Sequence, residues 1–141
     1  MKEKLFLSWN WVDQQVLELG ETIKESISDY KFISGIPRGG LIPGIYLSHF
    51  LGIKYIPYNE ATQLPINVRK QVLVVDDICD SGMTVLDAIN FGFHTAVLAQ
   101  RYSSPVMPDW YGEKINDDRW LVFPWERTDS KTIQDYLDNK K

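Results

Sequence analysis

The chain has 141 residues, of which 44% are hydrophobic and 24% are charged, a composition typical of one globular domain with a buried core. Its net charge of −4 and pI near 5.1 argue against nonspecific binding to nucleic acid or to a membrane surface. A single cysteine excludes an internal disulfide, and the first residues lack the apolar run of a signal peptide. We therefore expect residues 1–141 to form one domain of a cytoplasmic protein that binds neither nucleic acid nor membrane.

Short apolar runs alternate with segments of helical period along most of the chain. The predicted strands, in chain order, are residues 5–8, 32–35, 53–56, 72–75 and 95–99. Apolar residues at helical spacing from Val12 to Ile27 predict a first helix, which Ser8 or Asn10 could cap. Further helices are predicted at residues 41–51, 84–91 and 130–139, whereas the polar stretch 58–69 shows no clear period and is predicted to be a loop.

This alternation indicates an α/β fold, in which helices flank a parallel sheet with right-handed crossovers. In such sheets ligands bind beyond the carboxyl ends of the strands. Two unusual loops, at residues 35–40 and 76–84, each follow a predicted strand. We therefore expect both loops to lie on the same edge of the sheet and to form one composite site.

The second of these loops reads Asp76-Asp77-Ile78-Cys79-Asp80-Ser81-Gly82-Met83-Thr84 and opens into a helix. Hydroxyl groups and the backbone N–H groups of a helix terminus can hold a phosphate, and a glycine allows the backbone to approach it closely. The carboxylates beside such a phosphate can bind sugar hydroxyls or a magnesium ion. The sequence therefore predicts a phosphosugar site at this loop.

The first loop, Gly35-Ile36-Pro37-Arg38-Gly39-Gly40, carries one cation among flexible backbone. A guanidinium and several N–H groups in such a loop can turn toward a diphosphate. Taken alone, a glycine-rich connector with a solvated arginine would also have this composition. Its position next to the acidic loop favours a role in binding.

The acidic loop resembles the phosphoribosyl-pyrophosphate (PRPP) motif of the type I phosphoribosyltransferases, because the run D-D-x-x-D-S-G-x-T follows an apolar strand. The resemblance implies that one or both of Asp76 and Asp77 bind the ribose hydroxyls, directly or through Mg²⁺ and its water. It implies that Asp80 transfers a proton at the base. The 5-phosphate would be held by residues of the same loop, namely Asp80, Ser81, Gly82, Met83 and Thr84.

The loop Pro37-Arg38-Gly39-Gly40 is similar to the pyrophosphate-binding loop of the same family. The resemblance implies that these four residues hold pyrophosphate. In that family the peptide bond before the arginine or lysine is often a non-proline cis bond. Here that bond would be Pro37–Arg38.

A third segment, Trp120-Leu121-Val122-Phe123-Pro124-Trp125-Glu126, resembles the W-x-x-x-P-W-[DE] run of the bacterial xanthine-guanine members and their archaeal hypoxanthine-type relatives. There the first tryptophan covers the purine, which implies a base site at Trp120 and Leu121. Stacking of a base on an aromatic ring contributes about 1–3 kcal/mol. The family generally places a lysine at the end of the preceding strand to bind the exocyclic oxygen, a position that falls on Arg101 or, with a shift of one residue, on Gln100.

The resemblance as a whole implies a purine phosphoribosyltransferase fold with a small C-terminal hood-like segment. The expected reaction transfers ribose 5-phosphate from PRPP to a 6-oxopurine with Mg²⁺ as cofactor, in a homodimer or homotetramer. The mobile hood would lie at residues 58–70, which is short here. Two alternatives remain open, namely a non-catalytic PRPP-binding regulator and a phosphoribosyltransferase for another base.

Overall fold

The computed structural model describes residues 3–127. The strands of this part of the chain are β1 (Lys4–Phe6), β2 (Phe32–Gly35), β3 (Lys54–Tyr55), β4 (Val72–Cys79), β5 (His94–Arg101), β6 (Trp110–Ile115) and β7 (Trp120–Val122). The α-helices are α1 (Trp9–Ile23), α2 (Leu41–Leu51), α3 (Tyr58–Ala61), α4 (Ile66–Arg69) and α5 (Met83–Phe91). A 3₁₀ segment, Lys24–Asp29, continues from α1.

Five of these strands form a parallel sheet in the order β3-β2-β4-β5-β6. After β2 the chain forms β3 on one side of β2 and then β4 on its other side. The strand order therefore reverses between β2 and β4. The crevice at such a reversal is where open α/β sheets bind ligands. The two loops predicted to form a site follow these two strands. A separate pair, β1 and β7, is also parallel and brings the two ends of the described chain together.

The core lies on both faces of the sheet, and β4 is buried on each of them. Leu73 and Val75 pack with α1 and α2, whereas Val72 and Val74 pack with α3 and α5. This explains the uninterrupted apolar run of β4, because a strand covered on both faces has no solvent side that would need polar residues.

Local signals determine where the two long helices begin and end. The hydroxyl of Ser8 accepts a hydrogen bond from Trp11 N (3.0 Å), which caps α1. Helix α2 ends at Gly52, whose φ of 68° is the left-handed conformation that glycine adopts without strain. Residues 32–35 and 41–51 have the predicted bounds, and the predicted α/β class with a parallel sheet is confirmed.

The prediction of a structureless loop at residues 58–69 was wrong, since α3 and α4 lie there. Each of these helices is a single turn of four residues, which is too short to display a helical period. Two strands, β6 and β7, were not predicted. Strand β6 is at the edge of the sheet and carries exposed Glu113 and Lys114, so its sequence lacks the apolar run of the central strands.

The helix predicted at residues 130–139 lies outside the described residues. Within residues 3–127 no helix is both long and apolar enough to span a membrane. The C-terminal segment that was expected to be hood-like includes β7, which pairs with β1. In that pair Trp120 N donates to the carbonyl oxygen of Glu3 (2.7 Å) and Leu7 N to that of Val122 (2.8 Å).

Candidate active site

The two predicted loops meet at the carboxyl ends of β2 and β4. The first residue after β2, Ile36, donates its N–H to the carbonyl oxygen of Val75 (2.9 Å), which fixes the loop against β4. The Pro37–Arg38 peptide bond is cis, as the resemblance implies. The same loop closes through a hydrogen bond from Gly40 N to the carbonyl oxygen of Ile36 (2.8 Å). The backbone of residues 36–40 is therefore compact and ordered beside the acidic loop.

The carboxylate of Asp77 lies directly against Gly39. A Cβ atom added to Gly39 would lie 2.5 Å from Cγ and 2.9 Å from Oδ1 of Asp77, so a side chain there would displace this carboxylate. Asp77 is held in place because its Oδ1 accepts a hydrogen bond from Ile78 N (2.7 Å). Oδ1 of Asp76 in turn accepts from Asp77 N (2.9 Å). The acidic strand end and the glycine-rich loop thus form one continuous wall.

Burial raises the pKa of Asp77 to about 6. The interaction with the Asp76 side chain and the hydrogen bond from Ile78 N lower this pKa, whereas the negative charge of Glu126 raises it further. A carboxylate that is buried near other acids is stabilised by a cation or by hydroxyl donors. This makes Asp77 a natural ligand for a metal ion or for sugar hydroxyls.

The raised pKa of Asp77 predicts a pH-dependent stability difference between the wild type and Asp77→Asn. Between pH 4 and pH 6 the folded state retains the Asp77 proton that the unfolded state has lost, so this group makes unfolding easier as the pH rises. Above pH 6 the penalty is complete, on the order of 2–3 kcal/mol. We expect Asp77→Asn to be more stable than the wild type at pH 8, with no such gain at pH 4. Thermal unfolding across this range measures the difference, and parallel curves would contradict the prediction.

The phosphate loop leads from β4 into α5 through Gly82. Gly82 has a φ of 87°, a left-handed conformation, and a Cβ atom there would collide with the side chain of Val106. The hydroxyl of Ser81 accepts a hydrogen bond from Met83 N (3.3 Å). The first turn of α5 is thus presented to the cavity with hydroxyl and backbone donors together, an arrangement suited to an anion.

The opposite wall is formed by β7 and the residues after it. Phe123 and Trp125 stack with ring centroids 5.0 Å apart and an interplanar angle of 12°. Glu126 Oε1 accepts a hydrogen bond from Phe123 N (2.7 Å), which fixes the turn after the strand. Trp120 and Leu121 face the same cavity. A flat aromatic ligand could stack against such a wall.

Together these walls enclose a cavity of about 870 Å³, within the range usual for small-molecule sites. Most of the residues predicted for the site line it, namely Pro37, Arg38, Gly39, Asp76, Asp77, Asp80, Ser81, Gly82, Thr84, Trp120 and Leu121. The structure thus brings the three predicted segments to one place, although they are far apart in sequence.

Four residues predicted for the site do not line this cavity. Gly40 has no room for a side chain because a Cβ atom would meet the carbonyl oxygen of Val75, and the side chain of Met83 is 45% exposed. Gln100 is buried and donates its side-chain N–H to the carbonyl oxygen of Val106 (3.0 Å). Arg101 is 5% exposed and lies behind Asp80. The base contact expected of Arg101 or Gln100 stays a prediction.

Several lining residues were not predicted, chiefly Tyr58 of α3 with Asp87 and Phe91 of α5. Burial, with the negative charges of Asp87 and Asp76, raises the pKa of Tyr58 to about 12, so its hydroxyl stays protonated and can donate. Helical spacing from Thr84 places Asp87 and Phe91 on the same face of α5, which is a signal that the sequence did contain. Tyr58 carried no such signal because its helix is one turn long.

The charges of the cavity suit a hydrated divalent cation. Among residues 3–127 its lining includes five carboxylates, those of Asp76, Asp77, Asp80, Asp87 and Glu126, and two guanidiniums, those of Arg38 and Arg127. Within the described residues no group of three or more His, Cys, Asp or Glu side chains forms a ready metal site. Mg²⁺ fits such a wall, because it keeps several waters and is commonly held by one or two carboxylates together with substrate phosphates.

Comparisons with known proteins identify relatives over most of the chain, although no family model matches it. A purine phosphoribosyltransferase from Pyrococcus horikoshii has a similar structure, with a TM-score of 0.74 and 30% identity over 94% of this chain and 99% of that one. The xanthine-guanine phosphoribosyltransferase of Cereibacter sphaeroides is 29% identical over 89% of this chain and 92% of that protein. A xanthine-guanine-hypoxanthine phosphoribosyltransferase of Helicobacter pylori shares the fold, with a TM-score of 0.71 and 19% identity over 98% of this chain and 99% of that one.

Proposed function

Because the chain belongs to the purine branch of the type I phosphoribosyltransferases, we propose that it transfers ribose 5-phosphate from PRPP to a nitrogen of a 6-oxopurine and releases pyrophosphate. The observation that carries this proposal is the meeting of three segments around one cavity. An acidic phosphate loop, a glycine-rich loop with one arginine and an aromatic wall each suit one part of the two substrates. The names of the relatives support purine salvage as the role.

The proposed PRPP contacts follow from the walls of the cavity. Ser81, Gly82 and Thr84, with the backbone of Met83, hold the 5-phosphate at the start of α5. The loop from Pro37 to Gly40 holds the pyrophosphate with Arg38 and its backbone N–H groups. The ribose hydroxyls then lie against the strand end of β4.

The base site of the proposal is the aromatic wall. The purine stacks on Trp120 beside Leu121, and the stacked pair Phe123 and Trp125 lines the same cavity. The bond from C1′ to pyrophosphate breaks and the bond from C1′ to the purine nitrogen forms. Asp80, on the wall between the phosphate loop and the base, accepts the proton that leaves this nitrogen.

The transition state of such a transfer has a positive charge that develops on the ribose. Carboxylates fixed beside the ribose stabilise this charge because they are already oriented before the reaction begins. In the proposal Asp76 and Asp77 have this role and are also the residues that would hold Mg²⁺, directly or through water. When bound, the ion neutralises phosphate charge in a cavity that is otherwise rich in acids.

The proposal includes three further expectations that follow from the family, on domain organisation, cellular location and assembly. Residues 1–141 act as one domain, the protein acts in the cytoplasm, and it assembles as a homodimer or homotetramer. Sedimentation of the full chain with and without PRPP measures the assembly.

The decisive experiment is a panel of bases with PRPP and Mg²⁺, read as release of pyrophosphate. We expect turnover with guanine, hypoxanthine or xanthine and little with adenine, orotate or uracil. A site that binds the oxygen at position six leaves a polar group unpaired when the analogue lacks it, which can discriminate by about 10⁴-fold. Efficient use of adenine, orotate or uracil would instead identify a phosphoribosyltransferase for another base.

The same material separates an enzyme from a regulator that only binds PRPP. Ligand linkage gives about 2.7 kcal/mol of stabilisation when the ligand is at a hundredfold excess over its dissociation constant. A higher melting temperature with PRPP and Mg²⁺ but no pyrophosphate release with any base would identify the regulator. If PRPP does not stabilise the protein and no base gives turnover, both functions are excluded.

A further inference from the structure

Arg101 is a buried cation at the last position of β5, behind the cavity. Its side chain is only 6% exposed. Such a charge needs hydrogen-bonded partners, because an uncompensated charge in the protein interior is strongly destabilising. Its two partners belong to different parts of the proposed site.

The guanidinium donates one hydrogen bond to each of these two parts. Nε donates to Oδ1 of Asp80 (3.3 Å), and Nη1 donates to the backbone carbonyl oxygen of Asp117 (2.9 Å). The Asp117 carboxylate is mainly occupied by Arg119, whose Nη2 lies 2.8 Å from its Oδ2, while Nη1 of Arg101 is 3.9 Å from its Oδ1. Arg101 therefore connects the phosphate loop to the segment that leads into Trp120 through one partly buried ion pair and one hydrogen bond to the backbone.

We propose that Arg101 is a positioning residue that orients the carboxylate of Asp80 and ties it to the segment carrying the base wall. This inference rests on the proposed function, since it assigns to Asp80 the proton transfer described above. One oxygen of Asp80 is engaged by Arg101, while the Asp80 side chain remains 37% exposed at the cavity. The planar guanidinium suits this task because its N–H groups have fixed directions, whereas a lysine ammonium is a point charge.

The resemblance implies a different role for a cation at position 101, namely direct contact with the base. The two roles predict changes in different kinetic constants. A residue that binds the base raises KM for the base when it is removed, and the discrimination against adenine falls. A residue that orients Asp80 acts on the chemical step, so kcat falls while KM for the base changes little.

The experiment measures kcat and KM for the base in Arg101→Gln and Arg101→Lys, with Arg119→Gln as the matched control. Arg119 lies on the segment before Trp120 and, like Arg101, bonds to Asp117, but it does not line the cavity. We expect Arg101→Gln to lower kcat by about 10²-fold, because small misplacement of a reacting group can have such an effect. KM for the base should stay within about threefold, Arg101→Lys should recover part of kcat, and Arg119→Gln should keep wild-type kinetics.

A double-mutant cycle with Asp80→Asn tests whether Arg101 acts through Asp80. We expect Arg101→Gln to lower kcat no further once Asp80 is asparagine, because residues that act as a unit are not additive. Multiplicative losses would overturn the proposal, as would a rise in KM for the base with kcat preserved. Loss of discrimination against adenine would instead assign base reading to Arg101.

The same cycle in thermal unfolding tests the proposal without turnover. For unfolding the cycle uses Asp80→Ala, which removes the acceptor of the hydrogen bond from Arg101 Nε. The decrease in melting temperature of the double variant should be smaller than the sum of the two single decreases, and an additive result would overturn the coupling. If Arg101→Gln does not fold, Arg101→Lys takes its place in both cycles. A wild-type protein with no pyrophosphate release would contradict the proposed function, and the unfolding cycle would still decide whether Arg101 positions Asp80.

Discussion

Replacing Asp80 with asparagine lowers kcat by about 10²–10⁴-fold and leaves PRPP binding close to that of the wild type. Asparagine keeps the size of the side chain and one oxygen that can accept from Arg101 Nε, but it cannot take a proton from the purine. The phosphate contacts of the proposal come from hydroxyl and backbone donors of the next residues, which this change leaves in place. Steady-state kinetics with a 6-oxopurine measures kcat, and PRPP-dependent melting measures binding.

The matched control is Asp118→Asn, which makes the same chemical change at an exposed carboxylate that does not line the cavity. It should keep wild-type kcat. Turnover of Asp80→Asn within threefold of the wild type would show that another group accepts the proton. A loss of PRPP-dependent stabilisation in the same variant would instead move Asp80 to the binding of the phosphosugar.

The parts of the fold with local signals could be predicted from the sequence. Helix α2 has the predicted bounds because Gly52 ends it in a conformation that glycine favours. Strand β4 was predicted to stop at Val75, but it continues to Cys79 because Asp76 and Ile78 pair with Val97 and Ala99 of β5. That pairing joins residues 21 positions apart in the sequence, so no local pattern of apolar residues could predict it.

The same distinction applies to the site. The acidic loop and the loop around Arg38 were predicted because their residues are contiguous, and both line the cavity. The pairing of Arg101 could not be predicted in this way. Its position at the end of β5 was expected, but its pairing with Asp80 and Asp117 depends on how three separate segments pack. The spacing of apolar residues predicts where a strand ends. It does not predict which carboxylate lies within hydrogen-bond distance of a guanidinium.

Replacing Gly39 with alanine should lower kcat/KM for PRPP by about 10²-fold or more, because a displacement of about 1 Å at a reacting site can have such an effect. The added methyl group would overlap the carboxylate of Asp77. Moving this carboxylate away would strain its hydrogen bond from Ile78 N (2.7 Å). The methyl group therefore pushes apart the loop proposed for pyrophosphate and the acid proposed for the ribose and the metal ion. Steady-state kinetics with varied PRPP at saturating base measures the loss.

Gly52→Ala is the control for the general cost of adding a methyl group to a glycine. Gly52 is remote from the cavity lining, and a Cβ atom there would meet nothing within 4 Å. Its φ of 68° makes alanine unfavourable by about 1–2 kcal/mol. This variant should therefore have a lower melting temperature than the wild type and the same kcat/KM. Equal kinetic losses in the two variants would mean that glycine-to-alanine strain alone reduces activity. Wild-type kinetics in Gly39→Ala would show that Asp77 and the glycine-rich loop do not have to touch for PRPP to bind, and the pyrophosphate site would then have to lie elsewhere along the cavity.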